Sequence, residues 1–230
     1  MHHTFDYHDH GFKPNVRSKH IHGPFVTLRE LLLQLPANIV FDIELSKQAC
    51  LHVLTVLDFY ANQICCVYIE YPMLSEAKDF TMDLFSTEIN SYLTCILDVI
   101  YEFGGNRPII FTSFSPEVCM ALAIKQQTYP ILFLNESCTA KWPTHDIRAT
   151  SVQTAIHFAR GLGIDGIVMA SDPFVVSPRL IKKVKDRGLV CWSFGNMNDE
   201  PDNALVGTLP RNSGTMLIVG YRYKLRVAWI

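Results

Sequence analysis

Hydrophobic and polar positions along this chain alternate between two periods. The run Asn38-Ile-Val-Phe-Asp-Ile-Glu-Leu45 has period two. It sets Ile39, Phe41 and Ile43 on one face of an extended strand and Val40, Asp42 and Glu44 on the other. Just upstream, Leu28, Leu31, Leu32 and Leu35 recur at helical spacing. Thr27 with Glu30 three residues on is a capping-box signal for the start of that helix, and Pro36 ends it. Downstream the periods take turns. Apolar residues from Leu84 to Tyr101 predict an amphipathic helix over 82–103, stopped by Gly104-Gly105-Asn106. Residues 108–114 read as a strand apolar on both faces. Ser115 and Pro116 then open a helix that runs to about Gln127. A strand at 129–134, a helix over 144–163 weakened at Ala149-Thr150-Ser151, and a strand at 166–170 follow. Ser177-Pro178 opens a further helix, closed by Gly188, before a strand at 189–194 with Trp192 in its core.

Strands and helices alternating at this spacing predict right-handed βαβ units and a parallel sheet, an α/β fold. Five strands fit the pattern, where a closed barrel of this class needs eight. Three stretches depart from it. Residues 1–26 show neither period and are expected to be a poorly ordered loop segment. Within 46–70, Ala49 to Phe59 is apolar nearly all round and Ile64 to Ile69 is rich in β-formers, so a helix and a strand added to the fold are expected there. Beyond Ala204 only short strand-like pieces remain, Met216–Val219 and Leu225–Ile230, and 205–230 is expected to be an atypical tail.

With 230 residues and 49% hydrophobic content the chain can bury the core of one domain. A net charge of −2 leaves no electrostatic footprint for nucleic acid. The apolar stretch from Ala49 to Tyr71 is interrupted by His52, Asp58, Asn62, Gln63 and Glu70, so no membrane span is expected. The start of the chain is His-rich and polar, unlike a secretory signal. Six of the nine histidines fall in residues 1–26, and any metal affinity of that tract would be incidental. The 7 cysteines have no regular spacing, and the adjacent pair Cys65-Cys66 cannot chelate a structural zinc alone. Buried thiols in a reducing compartment, and so a cytoplasmic location, are the expectation. One carboxylate stands out. A barrel places a metal ligand or general base at the C-terminal end of a parallel strand, which is where Glu44 falls. A solvated strand-end acid is the alternative.

Several tracts carry a resemblance. Gly23-Pro-Phe-Val-Thr-Leu28, Phe41-Asp-Ile-Glu44, Tyr71-Pro-Met-Leu-Ser-Glu-Ala77, Gly104-Gly-Asn-Arg107, Ile109-Ile-Phe-Thr-Ser-Phe-Ser-Pro116 and Pro130–Leu134 are similar to the glycerophosphodiester phosphodiesterase family, above all its fungal cytosolic branch that cleaves glycerophosphocholine. The resemblance covers residues 4–45 and 71–204. It implies a partial TIM (β/α)8 barrel of the phospholipase-C-like phosphodiesterase type, with the N-terminal βα units missing. It also implies hydrolysis of a glycerophosphodiester to glycerol 3-phosphate and an alcohol, with a divalent metal (Mg or Ca) held by three carboxylates and two histidines as acid and base. Glu44 matches one metal carboxylate. Ser113 and Phe114, at the end of a strand, are placed to line the substrate pocket that the resemblance implies, and Phe194, Gly195 and Asn196 end the last clear strand and face the same way. An ordinary strand-end turn is the alternative for Ser113 and Phe114.

The departures from the family pattern are specific. In the family a strand of the type Phe-Asn-Ile-Glu-(Ile/Met)-Lys runs directly into Tyr-Pro-Met-Leu-Ser-Glu. Here the two halves are separated, Asp42 stands for the asparagine and Ser46 for the lysine. Counting back from Tyr71 instead places Glu70 at the lysine position and Tyr68 at the carboxylate position. The His-Arg-Gly and Glu-Asn-Thr motifs that carry the remaining ligands and histidines do not occur, and His8, His10, His20 and His22 do not replace them. The expectation is an incomplete phosphodiesterase domain over 27–204, split by an insertion or translated non-coding segment at 46–70 and inactive alone. Self-association through exposed edges would accompany it. The alternative is a non-catalytic, phosphodiesterase-like binding or regulatory module.

Overall fold

In a computed structural model of the chain, residues 5–8, 11–14, 27–46, 64–70, 88–136, 146–195, 197 and 225–226 are described. The segment 1–26, expected to lack regular structure, contains two short strands, β1 (Phe5–His8) and β2 (Gly11–Pro14). They pair antiparallel across residues 9–10. The aromatic residues Phe5, Tyr7 and Phe12 give these strands a β-propensity that four-residue runs are too short to show as a period.

Helix α1 (Leu28–Gln34) starts as its sequence dictates. The Thr27 hydroxyl accepts the Glu30 N–H, and the Glu30 carboxylate accepts the Thr27 N–H at 2.7 Å. Strand β3 (Val40–Ser46) follows, then β4 (Ile64–Glu70), so the strand expected in the inserted stretch forms. The helix expected over Ala49–Phe59 lies outside the described residues. Helix α2 (Ile89–Phe103) is capped by Glu88, whose carboxylate accepts the N–H groups of Asn90 and Ser91. The expected first turn with Leu84 and Phe85 lies outside the described residues.

Strand β5 (Ile109–Ser113), helix α3 (Pro116–Lys125) and strand β6 (Ile131–Asn135) continue the alternation. The helix expected over 144–163 is two. Helix α4 (Ile147–Thr150) ends at Ser151, which is extended and caps α5 (Val152–Leu162) by accepting the Thr154 N–H. The serine hydroxyl competes for backbone donors and breaks the helix at the Ala-Thr-Ser triplet. Strand β7 (Gly166–Ala170) leads into a short helix the periodicity does not mark, α6 (Asp172–Val176). Helix α7 (Arg179–Lys185) and strand β8 (Val190–Phe194) come next. A two-residue strand, β9 (Leu225–Arg226), is the described part of the tail.

Seven strands form one sheet in the order β8-β7-β6-β5-β3-β4-β9, and every pairing in it is parallel. This is a partial barrel of the α/β class. The two faces of the sheet carry separate apolar clusters. Phe41, Ile43, Leu45, Phe111, Ile131, Phe133, Ile167, Met169 and Cys191 pack beneath α1, α2, α3, α5 and α7. The residues between them in the pleat, Leu132, Leu134, Val168 and Trp192, form a second cluster on the inner face with Ile110, Phe114, Val190 and Phe194. Strands apolar on both faces are what a sheet covered on both sides requires. Trp192 is buried, as its place in the strand implies.

Arg107 locks the entrance to β3. Its buried guanidinium donates to the carbonyls of Leu32, Leu35, Pro36 and Ile39, at 3.2, 2.6, 2.7 and 3.0 Å. It thereby satisfies the C-terminal carbonyls of α1, which no helix residue can reach. The same guanidinium lies 4.3 Å from the Phe41 ring centre. Of the thiols among the described residues, Cys119 and Cys191 are buried, whereas Cys95 is exposed on the solvent side of α2.

Candidate active site at the strand ends

Parallel strands whose connecting helices all return on one side leave their C-terminal ends together at one rim. Three of the four sequence-predicted site residues reach that rim on the inner face. Glu44 sits near the end of β3, 5% exposed. Phe114 follows the last residue of β5, and Phe194 is the last residue of β8. The Phe114 and Phe194 rings meet edge to face, 5.8 Å between centres at 89°. Strands β6 and β7 separate β5 from β8. The rings converge above them because a twisted parallel sheet rolls toward its inner face as it curls into a barrel.

Ser113 goes the other way. The pleat sends adjacent residues to opposite faces, and the Ser113 hydroxyl donates to the Leu45 carbonyl at 2.5 Å and accepts the Ser115 N–H at 3.0 Å. It ties the end of β3 to the turn that starts α3. Gly195, just past Phe194, has φ +113°, and a Cβ there would lie 2.9 Å from the Ser171 hydroxyl at the end of β7. Asn196 lies outside the described residues.

Two polar residues on the inner face were not singled out as site residues in the sequence. Asp42, 1% exposed, lies one pleat below Glu44, and its Oδ1 accepts the Thr112 hydroxyl at 2.9 Å. In register, Glu44 stands between Thr112 of β5 and Tyr68 of β4. The strand period already placed Asp42 on the Glu44 face. The signal for Thr112 was its spacing of two from Phe114. Two buried carboxylates on one strand face, one of them held by a hydroxyl, are hard oxygen donors suited to a divalent cation or to hydrogen-bonding a polar ligand. Among the described residues no three His, Cys, Asp or Glu side chains converge as a metal site. The described donors therefore do not by themselves make up a divalent-ion centre.

Other polar groups near the rim are structural. The Asn135 side chain, at the end of β6, donates to the carbonyls of Arg148 and Ser151 and so anchors the α4–α5 break. Arg148 pairs with Asp146 and Glu117, each at 2.6 Å, which holds the same break against α3.

The model of the glycerophosphoryl diester phosphodiesterase family matches residues 16–211. The chain is 40% identical over 195 residues to glycerophosphocholine phosphodiesterase GDE1 of Eremothecium gossypii, a match that covers 85% of this chain and 13% of that protein. Against the Candida albicans protein of the same name identity is 38% over 197 residues, 85% of this chain and 15% of the other. Against glycerophosphocholine phosphodiesterase GPCPD1 of Rattus norvegicus it is 32% over 181 residues, 78% and 24%. The chain thus spans a small fraction of the length of the curated proteins it matches. A crystal structure of a putative glycerophosphoryl diester phosphodiesterase from Agrobacterium tumefaciens superposes with a TM-score of 0.45 at 16% identity, over 69% of this chain and 54% of that one.

Proposed function

The chain belongs to the glycerophosphoryl diester phosphodiesterase family, and we propose from that membership that its strand-end rim is the substrate-facing part of a phosphodiesterase site. The reaction of the complete site is hydrolysis of a glycerophosphodiester, such as glycerophosphocholine, to glycerol 3-phosphate and an alcohol. One observation carries the reading: Glu44 lies buried at the C-terminal end of a parallel strand, on the inner face toward which Phe114 and Phe194 converge. Glu44 supplies one oxygen donor. Phe114 and Phe194 form an apolar wall, and aromatic faces suit a quaternary ammonium group. Thr112 keeps Asp42 hydrogen-bonded beneath Glu44. A complete site would hold a divalent ion through Glu44 and further donors, and that ion would supply charge neutralisation of the anionic phosphodiester. Ser46 stands where the resembled strand has its lysine, and the His-Arg-Gly and Glu-Asn-Thr motifs are absent from these 230 residues. This favours a chain that binds the substrate class without turning it over unaided. A cytoplasmic location belongs to the same proposal. It is supported by the free thiols of Cys95, Cys119 and Cys191, and no helix among the described residues is long and apolar enough to cross a membrane.

The test is calorimetric titration of glycerophosphocholine and of glycerol 3-phosphate into the chain, with and without Mg²⁺, beside Glu44→Ala and Phe114→Ala. Binding weakened about tenfold by either change supports the site. Equal binding by all three proteins rules it out. Glycerol 3-phosphate release is followed in parallel. Metal-dependent release that Glu44→Ala abolishes would keep the site and overturn the inability to turn over.

A further inference from the structure

Strand β4 holds a place that chain order does not give it. From β3 onward, β5, β6, β7 and β8 add one after another on a single side, which is the winding of a (β/α) barrel. Strand β4 falls between β3 and β5 in the chain but lies on the opposite flank of β3. In barrel winding that flank belongs to a strand that comes before β3. Among the described residues no earlier strand pairs there, since β1 and β2 pair with each other.

The pairing is extensive. It runs unbroken through seven register pairs, from Val40–Ile64 to Ser46–Glu70, against four for β3–β5 and three for β5–β6. Strand β4 also places Val67, fully buried, in the sheet beside Ile43. The outward-facing N–H and C=O groups along β3 are thus engaged over its whole length, and a second strand cannot pair with them while β4 is there. Strand β9 pairs on the far side of β4 through only two residues, so its hold depends on β4.

We infer that β4 is a placeholder strand. It occupies the flank of β3 at which the barrel takes up the βα unit preceding β3, and that unit docks only when β4 leaves. The occupant is a parallel strand with its helix, the unit that consecutive barrel winding places before β3. The proteins of Eremothecium gossypii and Candida albicans extend far beyond the part this chain matches. Exchange at this flank changes the neighbour of Glu44, which in the present register is Tyr68. The inference concerns strand pairing and stands whether or not the rim hydrolyses anything.

The probe is a fragment of the Candida albicans relative that ends where the match to Thr27 begins and carries the roughly 100 residues before it, about three βα units. Its affinity is measured for the full chain, for a variant lacking residues 47–70, and for Val67→Pro. The proline removes a ladder donor and disrupts β4 without altering β3. Both variants are expected to bind the fragment at least about tenfold more tightly than the full chain does. Hydrogen exchange on the full chain with saturating fragment gives a second reading. Amides of residues 64–70 are expected to lose protection while those of β5 to β8 keep theirs. Equal affinity for all three forms, no binding by any of them, self-association of the deletion variant in place of fragment binding, or retained protection of 64–70 in the bound complex would each overturn the inference. None of these readouts depends on catalysis, so failure here is separable from failure of the site assignment.

Discussion

Replacing Arg107 with alanine is expected to be among the most damaging single changes outside the strand interiors. Its guanidinium is buried and donates to four carbonyls, those of Leu32, Leu35, Pro36 and Ile39. Hydrogen bonds to a charged donor contribute about 1.5–3 kcal/mol each, so four would give roughly 6–12 kcal/mol before the cost of burying the ion. That desolvation cost takes back several kcal/mol. Contact with the Phe41 ring adds about 1–2 kcal/mol. Truncation admits water to the carbonyls of Leu35 and Pro36, which lie near the surface, but less readily to those of Leu32 and Ile39. A net loss of about 3–4 kcal/mol follows, within the range seen when a buried hydrogen-bonded network is broken. For a domain of this size each kcal/mol moves Tm by about 2–4 °C, so the expected fall is roughly 6–16 °C. Thermal unfolding of the wild-type chain and Arg107→Ala measures it. Hydrogen exchange should locate the loss in α1 and the start of β3. Arg107→Lys is expected to recover less than half, because an ammonium lacks the planar fork that reaches four acceptors at once. A fall under about 3 °C, or exchange unchanged in Leu28–Gln34, would refute the assignment of Arg107 as the lock between α1 and β3.

Three further expectations follow from local geometry. A Cβ at Gly166 would strike the Val190 carbonyl oxygen and sit 2.7 Å from the Val190 Cβ. Gly166→Ala should therefore destabilise by about 2–3 kcal/mol, read as a lower urea midpoint at unchanged m-value. The N–H groups of Asn90 and then Ser91 hold the Glu88 carboxyl down at about 2, from the ordinary 4.5. A depressed folded-state pKa gives stability that is present above the unfolded value and lost as pH falls toward the folded one. Acid titration of stability should thus steepen between about pH 4.5 and 2, and Glu88→Gln should flatten that interval. A titration identical in the two proteins would remove Glu88 as the cause. Burial pushes the Cys191 thiol up to about 12 and raises that of Cys119 as well, whereas Cys95 is exposed. Under native conditions iodoacetamide should label Cys95 before Cys119 and Cys191, and peptide mass spectrometry showing early modification of either buried thiol would contradict its burial.

Much of this molecule is determined by short-range sequence. The capping box of Thr27 and Glu30, the proline and glycine stops, and the serine cap that splits α4 from α5 are interactions between residues two to four apart, so the chain announces them locally. The period of β3 likewise fixed that Asp42 and Glu44 share a face opposite Phe41 and Ile43. The same rule implied that Ser113 and Phe114 could not both face inward, since adjacent strand residues diverge. Which of the two would was left to the tertiary fold, which sends Phe114 to Phe194 and the Ser113 hydroxyl to the Leu45 carbonyl. Arg107 belonged to a recognisable tract, but its four acceptors lie about 70 residues away in the chain, beyond any local signal. The position of β4 is the clearest case. Its composition predicts a strand, yet main-chain N–H and C=O groups are the same in every strand, so nothing in a seven-residue run states which neighbour it takes or on which flank. Only the simultaneous packing of all the strands and helices places it against β3, and with it whatever borders Glu44.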